Sequence, residues 1–195
     1  MNEQIGDERR YLSVYRHAPT KKDDGRGLGS NLSPEGVSLA RRIGETLTPF
    51  DRVYASPIPR TLETAIALGF AVDDTLEFSC GYVPGEFEHH DQWDWEQPYV
   101  RFAELIHSPD TPAPTLARNA LADAALWAKL VSEVPPGGRV LIVSHGGSIE
   151  PTLVACLPHA EHSTWGAPFS HCDSAHLTFE NDRFVSAHIV RALDS

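Results

Sequence analysis

The sequence predicts an α/β fold, a three-layer sandwich whose central sheet is mostly parallel and carries helices on both faces. Two observations predict it. Three short apolar runs read as buried strands, and helical patterns separate them. Strands alternating with helices pair in parallel through crossovers, and the crossovers cover both faces of the sheet. Size agrees with this, since 195 residues, 41% of them hydrophobic, suffice for one domain with a sizeable core.

The first strand is expected over Leu12-Ser13-Val14-Tyr15 and runs into Arg16-His17. Ser33 followed by Pro34 reads as an N-cap and a proline at the first helical position, and Val37, Ala40, Ile43 and Leu47 continue that helix on one face. The second strand, Arg52-Val53-Tyr54-Ala55, leads to Ser56 and Arg60. A helix from about Arg60 carries Leu62, Ala65 and Ile66 and stops at Gly69. From Gly81 to Pro114 the chain is aromatic, proline-containing and irregular, and it reads as an insertion covering a cleft rather than as core. A long helix from about Thr115 carries Leu116, Ala120, Ala124, Ala128 and Val131, and Pro135-Pro136-Gly137-Gly138 ends it. The third strand, Val140-Leu141-Ile142-Val143, enters Ser144-His145-Gly146-Gly147, and Pro151 is expected to open a further helix. Residues from His176 to His188 alternate on either side of Asn181-Asp182, as a hairpin does. With no internal repeat and no composition break, residues 1–195 read as a single domain.

Composition narrows the function. Sixteen Lys and Arg against 27 Asp and Glu give a formal charge of −11, which argues against a nucleic-acid partner. The start MNEQIGDERR is polar, and the apolar runs fall far short of the ~20 residues of a membrane helix. A cytoplasmic protein without a membrane partner is expected. Cys80, Cys156 and Cys172 are odd in number and far apart, so they suggest neither a disulfide framework nor a zinc ribbon. Oligomeric state has no signature in the sequence.

In parallel α/β sheets the ligand lies outside the carboxyl ends of the strands. That rule gathers Arg16, His17, Arg60, His145 and Gly146 into one cleft. A neutral imidazole is a good nucleophile near neutral pH. Arginine offers a fixed fork of donors that matches phosphate oxygens. Gly146-Gly147 before a helix gives close backbone approach and a helix N-terminus, where anions bind. A histidine taken singly is more often packing or surface, and an arginine a surface charge. Two of each at three strand ends point instead to phosphoryl transfer.

These residues resemble a known family. Arg16-His17-Ala18-Pro19-Thr20 is similar to the "RHG" signature of the histidine phosphatase (phosphoglycerate mutase-like) superfamily, with Ala18 where glycine is commonest. Leu32-Ser33-Pro34-Glu35-Gly36 resembles its "LTxxG" helix start. The stretch from Ser56-Pro57 through Arg60 to Thr64-Ala65 resembles "SSPxxRxxxTA", and Ser144-His145-Gly146-Gly147 resembles "SHGG". The four motifs keep the family's order. The resemblance implies a phosphoglycerate mutase-like sandwich in which His17 attacks phosphorus and becomes phosphohistidine. It implies that Arg16, Arg60 and His145 hold the phosphoryl oxygens, with Gly146 and Thr20 among the substrate-binding residues. It implies no metal or organic cofactor, because the cationic side chains supply the neutralising charge. A carboxylic acid after the "TA" helix would protonate the leaving group. Glu77, Glu86, Glu88 and Asp91 are the candidates, and Glu86 is favoured because the Pro84-Gly85 turn precedes it within the insertion.

The expected activity is therefore metal-independent hydrolysis of a phosphomonoester, the substrate being a small phosphorylated metabolite. The alternatives are a phosphoglycerate-mutase-type phosphotransferase, a phosphohistidine-protein phosphatase and a non-catalytic phosphate-binding module. The mutase-like "RHGxSxWN" extension is missing, Ala18 to Asp23 departing from it. A metal-dependent hydrolase would need ligand spacings that His89-His90-Asp91 and the later histidines do not match. From Thr61 to Val100 the chain has nine acids and no Lys or Arg, so a cleft wall built from it would favour a neutral or cationic leaving group. Trp93, Trp95 and Tyr99 lie among those acids and could stack on substrate or pack beneath the insertion. Lys21, Lys22 and Arg26 could bind a second phosphate.

Overall fold

Four consecutive apolar residues, Val140 to Val143, cannot serve a sheet with one wet face, and all four are fully buried. A computed structural model, which describes residues 8–22 and 29–192, sets them at the centre of a six-stranded sheet. In chain order the elements are β1 (Arg10–Arg16), α1 (Pro34–Gly44), β2 (Arg52–Ala55), α2 (Pro59–Ala67), β3 (Asp74–Thr75), α3 (Asp91–Asp94), α4 (Pro98–His107), α5 (Pro114–Ser132), β4 (Arg139–Ser144), α6 (Gly146–Cys156), β5 (Ser174–Glu180) and β6 (Arg183–Val190), with a 3-10 turn at His162–Trp165. The strand order is β3-β2-β4-β1-β5-β6. The first four are mutually parallel, and β5 and β6 join antiparallel. Asn181 and Asp182 turn that hairpin at φ of 51° and 59°, the left-handed pair that a tight two-residue connection needs.

Register brings the strand ends together. Arg16 pairs with Ser144, which sets His17 beside His145, and Ala55 pairs with Val143, which sets Ser56 beside Ser144. The extension continues one step beyond the ladder, with the His17 N–H donating to the Ser144 carbonyl and the Ser56 N–H to the Val143 carbonyl.

One core lies on each face of the sheet. Val53, Ala55, Leu141 and Val143 pack with Ala40, Ala65 and Leu68 on the α1–α2 side. Leu12, Val14, Val140 and Ile142 pack with residues of α4, α5 and α6 on the other. Two expectations change here. The 81–114 segment is not all cover, because α4 buries Tyr99, Phe102, Leu105 and Ile106, a helical stripe that the local prolines obscure in the sequence. Pro151 lies inside α6 rather than opening it. The helix begins directly after the strand, where the His145 carbonyl accepts from the N–H groups of Ser148 and Ile149. Among the described residues no helix is long and apolar enough to cross a membrane.

Three local devices aim the loops at the strand ends. The Ser33 side chain caps α1 by accepting from the Gly36 N–H. A Cβ at Gly36 would come 2.1 Å from the Pro19 carbonyl oxygen, so only glycine lets α1 lie against the loop after His17. The buried carboxylate of Asp123 on α5 accepts from the N–H groups of Ser79 and Cys80 at 2.9 and 2.8 Å, which fixes where the 81–114 segment departs from the body.

Candidate active site

The end of β1 presents His17, almost wholly buried at 8% exposure. Its Nδ1 donates to the Ala18 carbonyl at 2.9 Å, which leaves the lone pair of the neutral ring on Nε2. The His145 and His171 rings flank it edge-on, with centroids 5.3 and 5.4 Å away. Burial, reinforced by His145 and the guanidinium groups of Arg16 and Arg60, pushes the His17 pKa well below the ordinary 6.5. Ala18 is buried and lies outside the left-handed region, so alanine at the third signature position is unstrained.

The cations come from two elements. Arg16 closes β1 and donates through Nη1 to the Phe169 carbonyl, and its guanidinium stands 5.8 Å from the ring centre of Trp93. Arg60, in the first turn of α2, donates to Ser30 Oγ at 3.2 Å. Burial lowers both pKa values, and in Arg60 the charge of Arg16 adds to that effect. Two guanidinium groups held close enough to repel one another are a site for an anion.

His145 is the N-cap residue of α6, and its Nε2 lies 3.2 Å from Ser56 Oγ. Burial, then Arg60 and Arg16, push its pKa down to about 3. Its Nδ1 is buried with no partner among the described residues. A buried polar atom left unpaired is costly unless a ligand completes it, and here it stands at the N-terminus of α6, where anions are favoured. Gly147 lets Tyr82 from the 81–114 segment press onto that turn, since a Cβ there would stand 3.0 Å from the tyrosine ring.

Most of the other sequence candidates have partners of their own. Glu86 accepts from the N–H groups of Thr115 and Leu116, both at 2.8 Å, at the start of α5. Burial would raise its pKa, but those N–H groups outweigh it and hold the carboxyl below its ordinary value. A carboxylate kept ionised in that way is a poor proton donor, so no acid step is assigned to Glu86. Pro84-Gly85 does turn the chain, and the turn aims Glu86 at a helix terminus. Glu88 accepts from the Gly85 N–H at 2.6 Å, Asp91 accepts from the Glu88 N–H at 2.8 Å, and Glu77 is exposed. Thr20 forms an antiparallel bridge with Leu32 beyond the nucleophile. Lys21 and Lys22 are exposed, and Arg26 lies outside the described residues. Among the described residues no group of three or more His, Cys, Asp or Glu side chains converges as metal ligands would.

Three contributors were not singled out in the sequence. Thr64, inside the "TA" motif, accepts the Ala18 N–H at 3.0 Å and donates to the Arg60 carbonyl at 2.6 Å, so one hydroxyl joins the loop of the nucleophile to the helix of Arg60. Its place four residues after Arg60 was the available signal. Thr64→Val keeps the shape and leaves the buried Ala18 N–H unpaired. It is expected to cost about 1–3 kcal/mol in denaturant unfolding, with most of the loss recovered in Thr64→Ser. Glu150 on α6 is fully buried and accepts from the Phe169 N–H at 2.6 Å, while Arg16 takes the carbonyl of the same residue. Burial raises the Glu150 pKa to about 7. His171, half-buried, stands before Cys172, whose N–H donates to the Arg16 and His17 carbonyls. Burial and then Arg16 push His171 down to about 4.

The imidazole shifts have a sign that can be checked. His17, His145 and His171 sit below the unfolded 6.5, so the unfolded chain binds more protons as pH falls, and stability is lost between 6.5 and the folded values, about 3 for His145. A histidine NMR titration of the ligand-free protein is expected to show these three rings still neutral at pH 6.5.

Comparison with known proteins agrees with this geometry. Residues 12–191 match the model of the histidine phosphatase superfamily, branch 1. No curated protein sequence matches the chain. Among solved structures, a mycobacterial glucosyl-3-phosphoglycerate phosphatase complexed with VO3 is 22% identical with a TM-score of 0.64, covering 94% of this chain and 100% of that one. The phosphoglycerate mutase of Bacillus anthracis is 20% identical with a TM-score of 0.64, over 95% and 94%. The phosphoserine phosphatase of Entamoeba histolytica, complexed with 3-phosphoglyceric acid, is 18% identical with a TM-score of 0.62, over 95% and 97%. At such identities the likeness is one of fold, and the family match covers most of the chain. With its signature histidines and arginines meeting at three strand ends, the chain belongs to the histidine phosphatase superfamily, branch 1.

Proposed function

We propose that the protein hydrolyses phosphomonoesters of small metabolites through a phosphohistidine at His17, without a metal ion. The observation that carries this is the Nδ1 bond of His17 to its neighbour's carbonyl, which keeps the Nε2 lone pair available in a ring that burial holds neutral. Arg16, Arg60 and His145 surround that ring and hold the phosphoryl oxygens, with Gly146 at the helix start and Thr20 beyond the nucleophile assigned to the same substrate. Nε2 donates its electron pair to phosphorus as the ester P–O bond breaks, and the leaving oxygen departs with that bond's pair. Water then attacks phosphorus as the P–N bond breaks and its pair returns to Nε2; one proton of that water stays on the inorganic phosphate and the other balances the proton taken up by the leaving oxygen. Charge on the transferring oxygens is met by the two guanidinium groups, so the scheme needs no further cation.

The test is hydrolysis of p-nitrophenyl phosphate in excess chelator, with acid-labile phosphate trapped on the protein during turnover. This ester's leaving group departs as a stable anion and needs no proton donor. Chelator-insensitive turnover, inhibited by vanadate, is expected. Activity that chelation abolishes and a divalent ion restores would overturn the metal-free scheme. Absence of a labelled His17 under rapid quench would overturn the covalent one.

A further inference from the structure

Beside the phosphoryl site is a cavity of about 350 Å³, lined by Trp93, Trp95, Glu96, Tyr99, His162 and Pro168 among others. That is the small end of the range for ligand pockets, roughly 300–1,000 Å³. Two of its walls also hold the arginine that ends β1. Trp93 lies 5.8 Å from the Arg16 guanidinium, and Pro168 adjoins Phe169, whose carbonyl Arg16 binds. Trp93 and the Pro168–Phe169 segment are therefore shared by the Arg16 site and this cavity.

The lining has a definite electrostatic character. Three aromatic side chains, whose π faces carry negative potential, line it together with the carboxylate of Glu96, and among the described residues no Lys or Arg belongs to the lining. Arg191 donates to the Ala167 and Pro168 carbonyls of its wall and is paired with Asp173 at 2.8 Å. Its histidine brings no positive charge at neutral pH, because burial lowers the His162 pKa and Nε2 donates to the Leu157 carbonyl at 3.0 Å. The rings are braced from behind, Trp95 against Phe102 and Tyr99 against Trp165, with centroids 5.1 and 5.4 Å apart. An anionic group would meet the Glu96 carboxylate, with Arg191 already paired to Asp173 and Arg16 engaged by the Phe169 carbonyl, whereas a quaternary or protonated ammonium would meet aromatic rings and a carboxylate.

Resting on the phosphatase reading, we propose that this cavity receives the leaving group, and that the preferred substrates are phosphomonoesters whose alcohol carries an ammonium group. A neutral isostere isolates the charge. In the intact protein, kcat/KM for phosphocholine is expected to exceed that for 3,3-dimethylbutyl phosphate by about tenfold or more, and Glu96→Gln to reduce this ratio severalfold. Equal kcat/KM for the two esters in the natural protein, or a ratio that Glu96→Gln leaves unchanged, would overturn the proposal. Binding supplies a readout independent of turnover. Tetramethylammonium chloride is expected to change tryptophan fluorescence saturably at constant ionic strength, and more weakly in Glu96→Gln. A non-saturable change in the natural protein would overturn the cavity assignment even with p-nitrophenyl phosphate turned over. Saturable binding in a protein inert toward p-nitrophenyl phosphate would support the cavity while removing the phosphatase reading.

Discussion

His17→Ala is expected to lower kcat for p-nitrophenyl phosphate by about 10⁴-fold or more, with the fold intact by circular dichroism. The ring packs beside two other imidazoles and bonds to the carbonyl of the next residue, and the backbone bond of His17 to Ser144 does not depend on it. The phosphoryl oxygens would still find Arg16, Arg60 and His145. Inorganic phosphate binding should therefore persist within an order of magnitude, measured by calorimetry, while the phosphorylated intermediate disappears. Loss of binding together with loss of turnover would mean that the imidazole holds the anion rather than attacking it.

Arg16→Lys is expected to reduce kcat/KM by about 10²–10³-fold, the range seen when one donor to a charged transition state is lost. Lysine keeps the charge and loses the planar fork. At this position the fork has two duties, since one arm binds the Phe169 carbonyl and the face lies toward Trp93. An ammonium cannot hold that carbonyl and a phosphoryl oxygen in fixed directions together. Arg60→Lys should be milder, because Arg60 is only half-buried and donates to the hydroxyl of Ser30. Equal effects of the two substitutions would show that charge alone matters.

Much of the architecture was legible because its determinants are local. Val140 to Val143 announce a buried strand by composition, Ser33-Pro34 announces a helix start, and Asn181-Asp182 announces a tight turn. The four strand-end residues were legible for a different reason: parallel α/β topology directs every loop after a strand to the same rim. What escaped was decided by partners distant in sequence. Glu86 looked like a cleft acid until α5, beginning at Pro114, offered it two N–H groups. The apolar stripe of α4 was hidden among prolines and acids, and only packing on α6 shows it to be core. Glu150 gave no local sign, because its role depends on Phe169, nineteen residues later.

Strand β1 is central in the sheet and pairs with β4 and β5, so its partners begin at Arg139 and Ser174. In a chain emerging from the ribosome, the segment bearing the nucleophile is thus made well before either of its sheet partners. Until those partners follow, β1 exposes two unpaired edges and an apolar face, the features that recruit chaperones or seed misassembly. High contact order of this kind slows folding, so a substitution in the β5–β6 hairpin would act first on yield and only afterwards on rate.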